Sequence, residues 1–371
     1  MQNINLMMRK TILILALISI ISSCSKEAFN NEVVINGFDK NYKETNSPLT
    51  SFIDSIKVIP LKNESNIVLT NPQKIICYKN KFYILDNNRV LCYGPDGNFI
   101  CLVGERGHGH GEYINIATFV ISGNSIKLLD SFKNHVITFT LEGKFISEAK
   151  APEGVLSNVQ DAIFENDAVL FMANYIYKDK NDVYTRWNTS TGEVSVVDKV
   201  SVKTNETKEF VGKHSFCNYN GNIRYILPFS DVIKSTDNLS IRFPTTRKVL
   251  TVSELQNISD FSITTYAEHL DDFVGFNDIF ETSNYILLTF SNLEYTVVDK
   301  INNKCFRSSY TFDEKSKSFP LLNILTSTQD TLIGIIDMEH YSSLKNRIHS
   351  NGINASDHNN SEYAIILYLA K

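Results

Sequence analysis

One pattern of apolar positions occurs six times along the chain. Each copy is a short run rich in β-branched and aromatic residues, which is typical of a buried strand. The runs are Lys81–Asp86, Ser125–Asp130, Ala168–Ala173, Ile223–Pro228, Tyr285–Phe290 and Leu332–Asp337. Their starts lie 44, 43, 55, 62 and 47 residues apart, the spacing of four-stranded repeats with longer loops around the fourth and fifth units.

Each run has the same neighbours. Turn-forming residues such as Asn80 or Gly123 stand directly before it, and these residue types tolerate the positive φ of hairpin turns. A short strand precedes that turn, and a third and a fourth strand follow the run. The fourth unit has no glycine before its last strand, so that strand is the least clearly marked. The pattern predicts six four-stranded antiparallel units.

The two ends of this repeat complement each other. The sixth unit is one strand short at Lys371, whereas Phe52–Leu61 is strand-like and has no hairpin partner. Pairing these segments would remove two free sheet edges. We therefore predict an all-β six-bladed β-propeller, closed by the N-terminal strand pairing with the last blade. A two-sheet sandwich or two separate β domains would not explain the surplus and the missing strand.

The N-terminus has the composition of a secretory signal. Arg9 and Lys10 precede the apolar run Thr11–Ile21, and small residues follow it. The run is shorter than the roughly 20 residues that cross a bilayer. The predicted organisation is a signal peptide over 1–23, an anchor or linker over 24–50 and the propeller over 51–371.

The end of that signal, Ile21-Ser22-Ser23-Cys24, resembles the lipobox of bacterial lipoproteins. The resemblance implies that Cys24 is the lipid attachment site, carrying palmitate-type acyl chains that anchor the protein to a membrane. The alternative is an ordinary cleaved signal with a chance cysteine. Ser25-Lys26-Glu27 is also similar to the start of a surface-export signal, from which Ala28 departs. An outer membrane lipoprotein is expected, and it can be periplasmic or surface-exposed.

Composition and cysteine spacing exclude several classes. The chain has 36 Lys and Arg residues and 41 Asp and Glu residues. Its net charge of −5 is not the basic balance typical of nucleic-acid-binding proteins. Apart from Cys24, five cysteines remain, without disulfide or zinc spacing. Neither a cofactor fingerprint nor a nucleophile elbow is present, so we expect no cofactor.

A second resemblance concerns the junction between the first two units. Asp96–Ile100, Val103-Gly104 and Gly107–Tyr113 resemble the blade junction of NHL-type repeats, and more closely that of six-bladed propeller lipoproteins of gut-type Gram-negative bacteria. Where that family has proline, this chain has His110. The family is largely uncharacterised, so the resemblance implies a fold and no activity.

The same junction contains the one candidate metal site. His108, His110 and Glu112 alternate, so an extended segment would project them to one side. The glycines between them favour a solvated turn instead. Asp86 and Asp130 end the same strand in successive units, where they either ring the channel mouth or cap turns.

These observations favour a non-enzymatic scaffold that binds an envelope protein or a glycan or peptide ligand. The alternative is an envelope glycan- or peptide-acting hydrolase or lyase, with a site assembled from several blades in the central funnel. Acids and histidines converging in the funnel would favour the enzyme, and scattered Asn, Ser and aromatic residues would favour binding. The sequence does not identify ligand-binding residues.

Overall fold

The computed structural model describes residues 31–36, 51–62, 67–178, 182–199, 204–208, 214–227, 230–245, 276–290, 294–309, 323–339, 341 and 361–371. The strands are β1 Asn31–Val34, β2 Ile53–Pro60, β3 Pro72–Tyr78, β4 Lys81–Asp86, β5 Arg89–Tyr93, β6 Phe99–Val103, β7 Ile116–Ser122, β8 Ser125–Asp130, β9 His135–Thr140, β10 Phe145–Lys150, β11 Val159–Asn166, β12 Val169–Asn174, β13 Ile176–Lys178, β14 Asp182–Asn188, β15 Val194–Lys199, β16 Thr204–Lys208, β17 Phe216–Tyr219, β18 Asn222–Ile226, β19 Val232–Ser235, β20 Leu239–Arg242, β21 Phe276–Glu281, β22 Tyr285–Phe290, β23 Glu294–Asp299, β24 Lys304–Ser309, β25 Ile324–Ser327, β26 Thr331–Asp337 and β27 Tyr363–Ala370.

These strands form the predicted six-bladed β-propeller. Blade 1 is β3–β6, blade 2 is β7–β10, blade 3 is β11, β12, β14 and β15, and blade 4 is β17–β20. Blade 5 is β21–β24, and blade 6 is β25, β26, β27 and β2. Within each blade the strands are antiparallel and in chain order from the inside outward, except that β2 completes blade 6.

The repeat is visible in the sequence because the second strand of each blade is packed on both faces. In β4 every residue after Lys81 is buried, whereas the outer strand β10 has no buried residue. A strand covered on both faces consists of nearly continuous apolar residues, whereas an exposed outer strand contains both polar and apolar residues. The six apolar runs are therefore the six second strands.

The core is divided among the spaces between neighbouring blades. One cluster joins Ile84 and Leu91 of blade 1 to Ile333 and Ile365 of blade 6. Other clusters join blades 1 and 2, 2 and 3, 4 and 5, and 5 and 6. Between blades 3 and 4, the buried Tyr184 hydroxyl donates a hydrogen bond of 2.7 Å to the carbonyl of Ile226 in the next blade.

The ring closes as predicted. β2 pairs antiparallel with β27 from Ile53 opposite Ala370 to Pro60 opposite Ala364. The chain then leaves blade 6 and contacts blade 1, where the Lys62 amide donates to the Gly97 carbonyl at 2.8 Å. The first and last strands of the propeller thus share one sheet.

Buried aspartates secure the turns at the ends of the second strands. Asp86 accepts hydrogen bonds from the amides of Thr70 and Asn71, which lead into β3. Asp130 accepts from the amide of Ile114 at 2.6 Å, just before β7, and from two amides of its own turn. Of the two roles considered for these carboxylates, the structure shows the capping role, because both are 0% exposed.

Two elements were not predicted. β1 lies within the predicted 24–50 anchor or linker and pairs in parallel with β20, which makes blade 4 a five-stranded sheet. In addition, β13 and β16, which precede and follow β14 and β15 in the chain, form a separate two-stranded antiparallel sheet. The weakly marked outer strand of blade 4 is present as β20. Its turn contains Asn238 at φ 64° in place of a glycine.

The five described cysteines are free. Cys92 and Cys101 lie opposite each other in β5 and β6.

Candidate functional site

A cavity of about 410 Å³ runs along the centre of the ring and is lined by residues of all six inner strands. Each inner strand (β3, β7, β11, β17, β21 and β25) ends its own sheet, so one of its edges has no partner strand in the described chain. That edge can offer backbone donors and acceptors. The volume lies in the range of small-molecule sites, about 300–1,000 Å³.

Three side chains from successive blades meet at one end of this channel. Lys74 Nζ lies 2.6 Å from Asp161 Oδ1 and 3.1 Å from Thr118 Oγ1, and it donates to the Ala162 carbonyl. Thr118 Oγ1 donates to the same Asp161 oxygen at 2.6 Å. The Lys74 and Asp161 side chains are only 13% and 12% exposed, so this ion pair is largely withdrawn from water.

Local backbone geometry explains why these residues meet. β3, β7 and β11 each shift register once near the start, immediately before Lys74, Thr118 and Asp161 respectively. A bulge changes the direction of the residue beside it and bends the strand. Equivalent shifts precede Asp278 in β21 and Thr326 in β25. The inner strands thus place a polar residue at a matching position in five blades.

A smaller cavity of about 70 Å³ adjoins this cluster and is lined by Lys74, Asp161, His214, Gln160 and others. The Gln160 Nε2 atom is buried and has no hydrogen-bond partner in the described part of the protein. Buried amide groups are normally satisfied, so this donor is available to an acceptor on a ligand. The amide of His214 donates to Asp278 Oδ1 at 3.0 Å, which links blade 5 to this end of the channel.

The described residues that line the two cavities offer no thiolate nucleophile, and their one carboxylate is held in an ion pair. Burial raises the pKa of the Cys77 thiol to about 12 and also raises that of Cys217, so neither is a thiolate nucleophile near neutral pH. Asp161 is the single carboxylate among the described lining residues, and Lys74 holds it.

The candidate metal ligands do not form one ligand set. Glu112 Oε2 accepts a hydrogen bond from the Gly109 amide at 2.8 Å, so this carboxylate folds back onto its own loop. His110 Nδ1 lies 3.1 Å from Glu148 Oε2, and His108 is exposed. In the described ranges no three His, Cys, Asp or Glu residues are grouped to hold a metal ion.

Glu148 organises this loop, and no sequence pattern marked it. Its side chain is 6% exposed and lies 2.6 Å from Lys133 Nζ and 2.5 Å from His135 Nδ1. Burial alone would raise its pKa. Hydrogen bonds from the Gly111 amide, Lys133 and His135 outweigh burial and lower the pKa to about 2. The loop is therefore fastened to β10 by a buried carboxylate, a structural role.

Cys24 and the signal segment 1–23 lie outside the described residues. Within the described ranges, no helix has the length and hydropathy of a bilayer-crossing segment.

Comparison with known proteins gives a family and a fold. The sequence matches the family described as Domain of unknown function (DUF4934) over residues 32–363. No curated protein matches it. One similar crystal structure is the "Putative exported protein" from Bacteroides fragilis NCTC 9343, with 15% identity and a TM-score of 0.65. That match covers 92% of this chain and 100% of the other.

A second similar structure is a member of the DUF4221 family from Bacteroides vulgatus ATCC 8482. It has 11% identity and a TM-score of 0.50, and the match covers 86% of this chain and 97% of the other. At these identities both likenesses concern the fold alone.

Proposed function

The chain belongs to the DUF4934 family, and we propose that it is a lipid-anchored envelope protein that binds a ligand in its propeller channel without transforming it. The observation that carries the proposal is the channel itself. It combines a cavity of about 410 Å³ with polar side chains contributed by several blades. An unpartnered buried donor at Gln160 lies at one end.

The ligand is a glycan or peptide of the envelope, or an exposed segment of an envelope protein. Such molecules carry the hydroxyl and carbonyl acceptors that Gln160 and the free strand edges would engage. The half-buried apolar lining residues, such as Ile76 and Ile163, would cover their less polar faces.

Export and anchoring rest on the leader and on the neighbour named as an exported protein. Cells grown with an alkyne analogue of palmitate should label the wild-type chain and leave Cys24→Ala unlabelled. Equal labelling of both chains, or of neither, would contradict the anchor. The location that we propose for the anchored chain is the outer membrane, on its periplasmic side or on the cell surface.

Binding is tested on the purified chain with a panel of envelope-type oligosaccharides, muropeptides and short peptides. A binder should raise the melting temperature of the wild type and of Ser147→Phe, whose new ring lies on an exposed outer strand. Thr326→Phe, which places the same ring in the channel, should lose the shift. Equal binding by both variants would place the ligand elsewhere. Turnover of any panel member would favour the hydrolase or lyase alternative.

A further inference from the structure

The strand β1 is not needed to close the ring, and this calls for an explanation. Closure is completed by β2 in blade 6, the fourth strand of that blade. β1 adds a fifth strand to blade 4, in parallel with β20 from Asn31 opposite Leu239 to Val34 opposite Arg242. Its function therefore lies outside the propeller's own closure.

β1 is fastened in three ways besides its sheet pairing. The Ile35 amide donates to the Arg242 carbonyl at 2.9 Å. The Ile35 side chain is 2% exposed and packs in the cluster between blades 4 and 5. Glu32 Oε1 accepts a hydrogen bond of 2.6 Å from Arg242 Nε, and Arg242 also reaches Asp231. We call this segment, β1 with Ile35, the clamp, because these contacts hold it on blade 4.

The clamp changes the length of chain between the lipid site and the folded domain. Cys24 lies seven residues before Asn31 but 29 residues before Ile53, where β2 begins. At ~3.5 Å per residue these stretches span at most about 25 Å and about 100 Å respectively. With β1 docked, the stretch of chain that tethers the folded domain to the lipid is about fourfold shorter than it would be without β1.

A short tether fixes which part of the ring faces the membrane. Two opposite blades of four strands, spaced ~4.8 Å apart, measure roughly 40 Å from rim to rim once the channel is included. A tether of about 25 Å on the blade 4 rim therefore excludes orientations in which blade 1, across the ring, is nearest the lipid surface and blade 4 is farthest from it.

We infer that β1 is an orientation clamp that holds the blade 4 rim against the lipid bilayer and turns blade 1 away from it. The inference rests on the proposed lipid anchor at Cys24 for its cellular setting. Val33 and Val34, which are 38% and 44% exposed, place apolar surface on the rim that faces the lipid. The channel then lies at a set height above the membrane.

The test replaces residue 24 and everything before it with a hexahistidine tag, which holds the purified chain on vesicles containing a nickel-chelating lipid. Binding of the tag does not depend on acylation, so failure of the Cys24 proposal and failure of this one are distinguishable. A fluorescent amino acid is placed at Asp237 in blade 4 or at Pro95 in blade 1. Both positions are exposed and lie in the turn before the outer strand.

Energy transfer to an acceptor on the lipid headgroups should be stronger from position 237 than from position 95. Inserting a 20-residue Gly/Ser linker between residues 30 and 31 leaves β1 intact and should abolish the difference. Ile35→Asp, which undocks β1, should also abolish it. Equal transfer from both positions in the unmodified chain, or a difference that survives the linker, would overturn the inference.

Discussion

The ion pair of Lys74 and Asp161 connects blades 1 and 3 across the second inner strand. Because both groups are largely buried, Lys74→Met leaves an unpaired carboxylate and should lower the free energy of unfolding by about 3 kcal/mol. Asp161→Leu should have a similar cost. The double variant should lose less stability than the two single variants lose together, since it leaves no unpaired buried charge.

A double-mutant cycle measured by urea denaturation gives the coupling free energy of this pair. Additive losses would mean that the two side chains are independently solvated, contrary to the contacts described. Thr118, which donates to the same carboxylate oxygen, should be the next most sensitive position.

Glu148 should give the protein an acid-sensitive share of its stability. Its pKa is lowered from 4.5 to about 2 in the folded state, so its contribution is present above pH ~4.5 and is lost as the pH falls towards 2. We expect the free energy of unfolding of the wild type to exceed that of Glu148→Gln by roughly 2–3 kcal/mol at pH 7. This difference should shrink as the pH falls from 4.5 towards 2. A gap that is constant from pH 7 to pH 3 would refute this account of the loop.

At the scale of elements, the seam between blades 6 and 1 depends on Gly97. Gly97 has φ 77°, and a Cβ there would lie 2.1 Å from the carbonyl oxygen of Pro60 in the closing strand. Gly192 has φ 78° and open space around it, so it is a matched control for backbone strain alone.

Gly192→Ala should cost about 1–2 kcal/mol, the price of a left-handed conformation for alanine. Gly97→Ala should cost clearly more, because the closing strand must also move. Equal costs by chemical denaturation would show that β2 does not lie against this turn.

Whether a strand could be predicted from the sequence depends on how often its pattern recurs along the chain. The second strands were recognisable because burial on both faces repeats an apolar run six times, and β2 because it had no other partner. β1 was not recognisable, since Asn31–Val34 occurs once and its parallel partner lies about 200 residues away, a separation at which no local turn signals pairing. The outer strand of blade 4 was weakly marked because Asn238 replaced the usual glycine.

At the scale of the whole molecule, a central funnel followed from the predicted propeller, but the residues that line it could not be derived from the sequence. Lys74, Thr118 and Asp161 are more than 40 residues apart, and only the bulges of three strands bring them together. The alternating His108, His110 and Glu112 formed a visible local pattern. Their glycines instead let the loop fold onto Glu112 and Glu148.

The central claim is that the channel holds a ligand in the cell envelope. A photo-crosslinking amino acid at Thr326, inside the channel, and one at Ile301, which is 69% exposed on an outer turn, test it most directly in intact cells. After irradiation, mass spectrometry should find a reproducible adduct at position 326 that is absent at position 301. The absence of an adduct at position 326, or the same adducts at both positions, would contradict the claim.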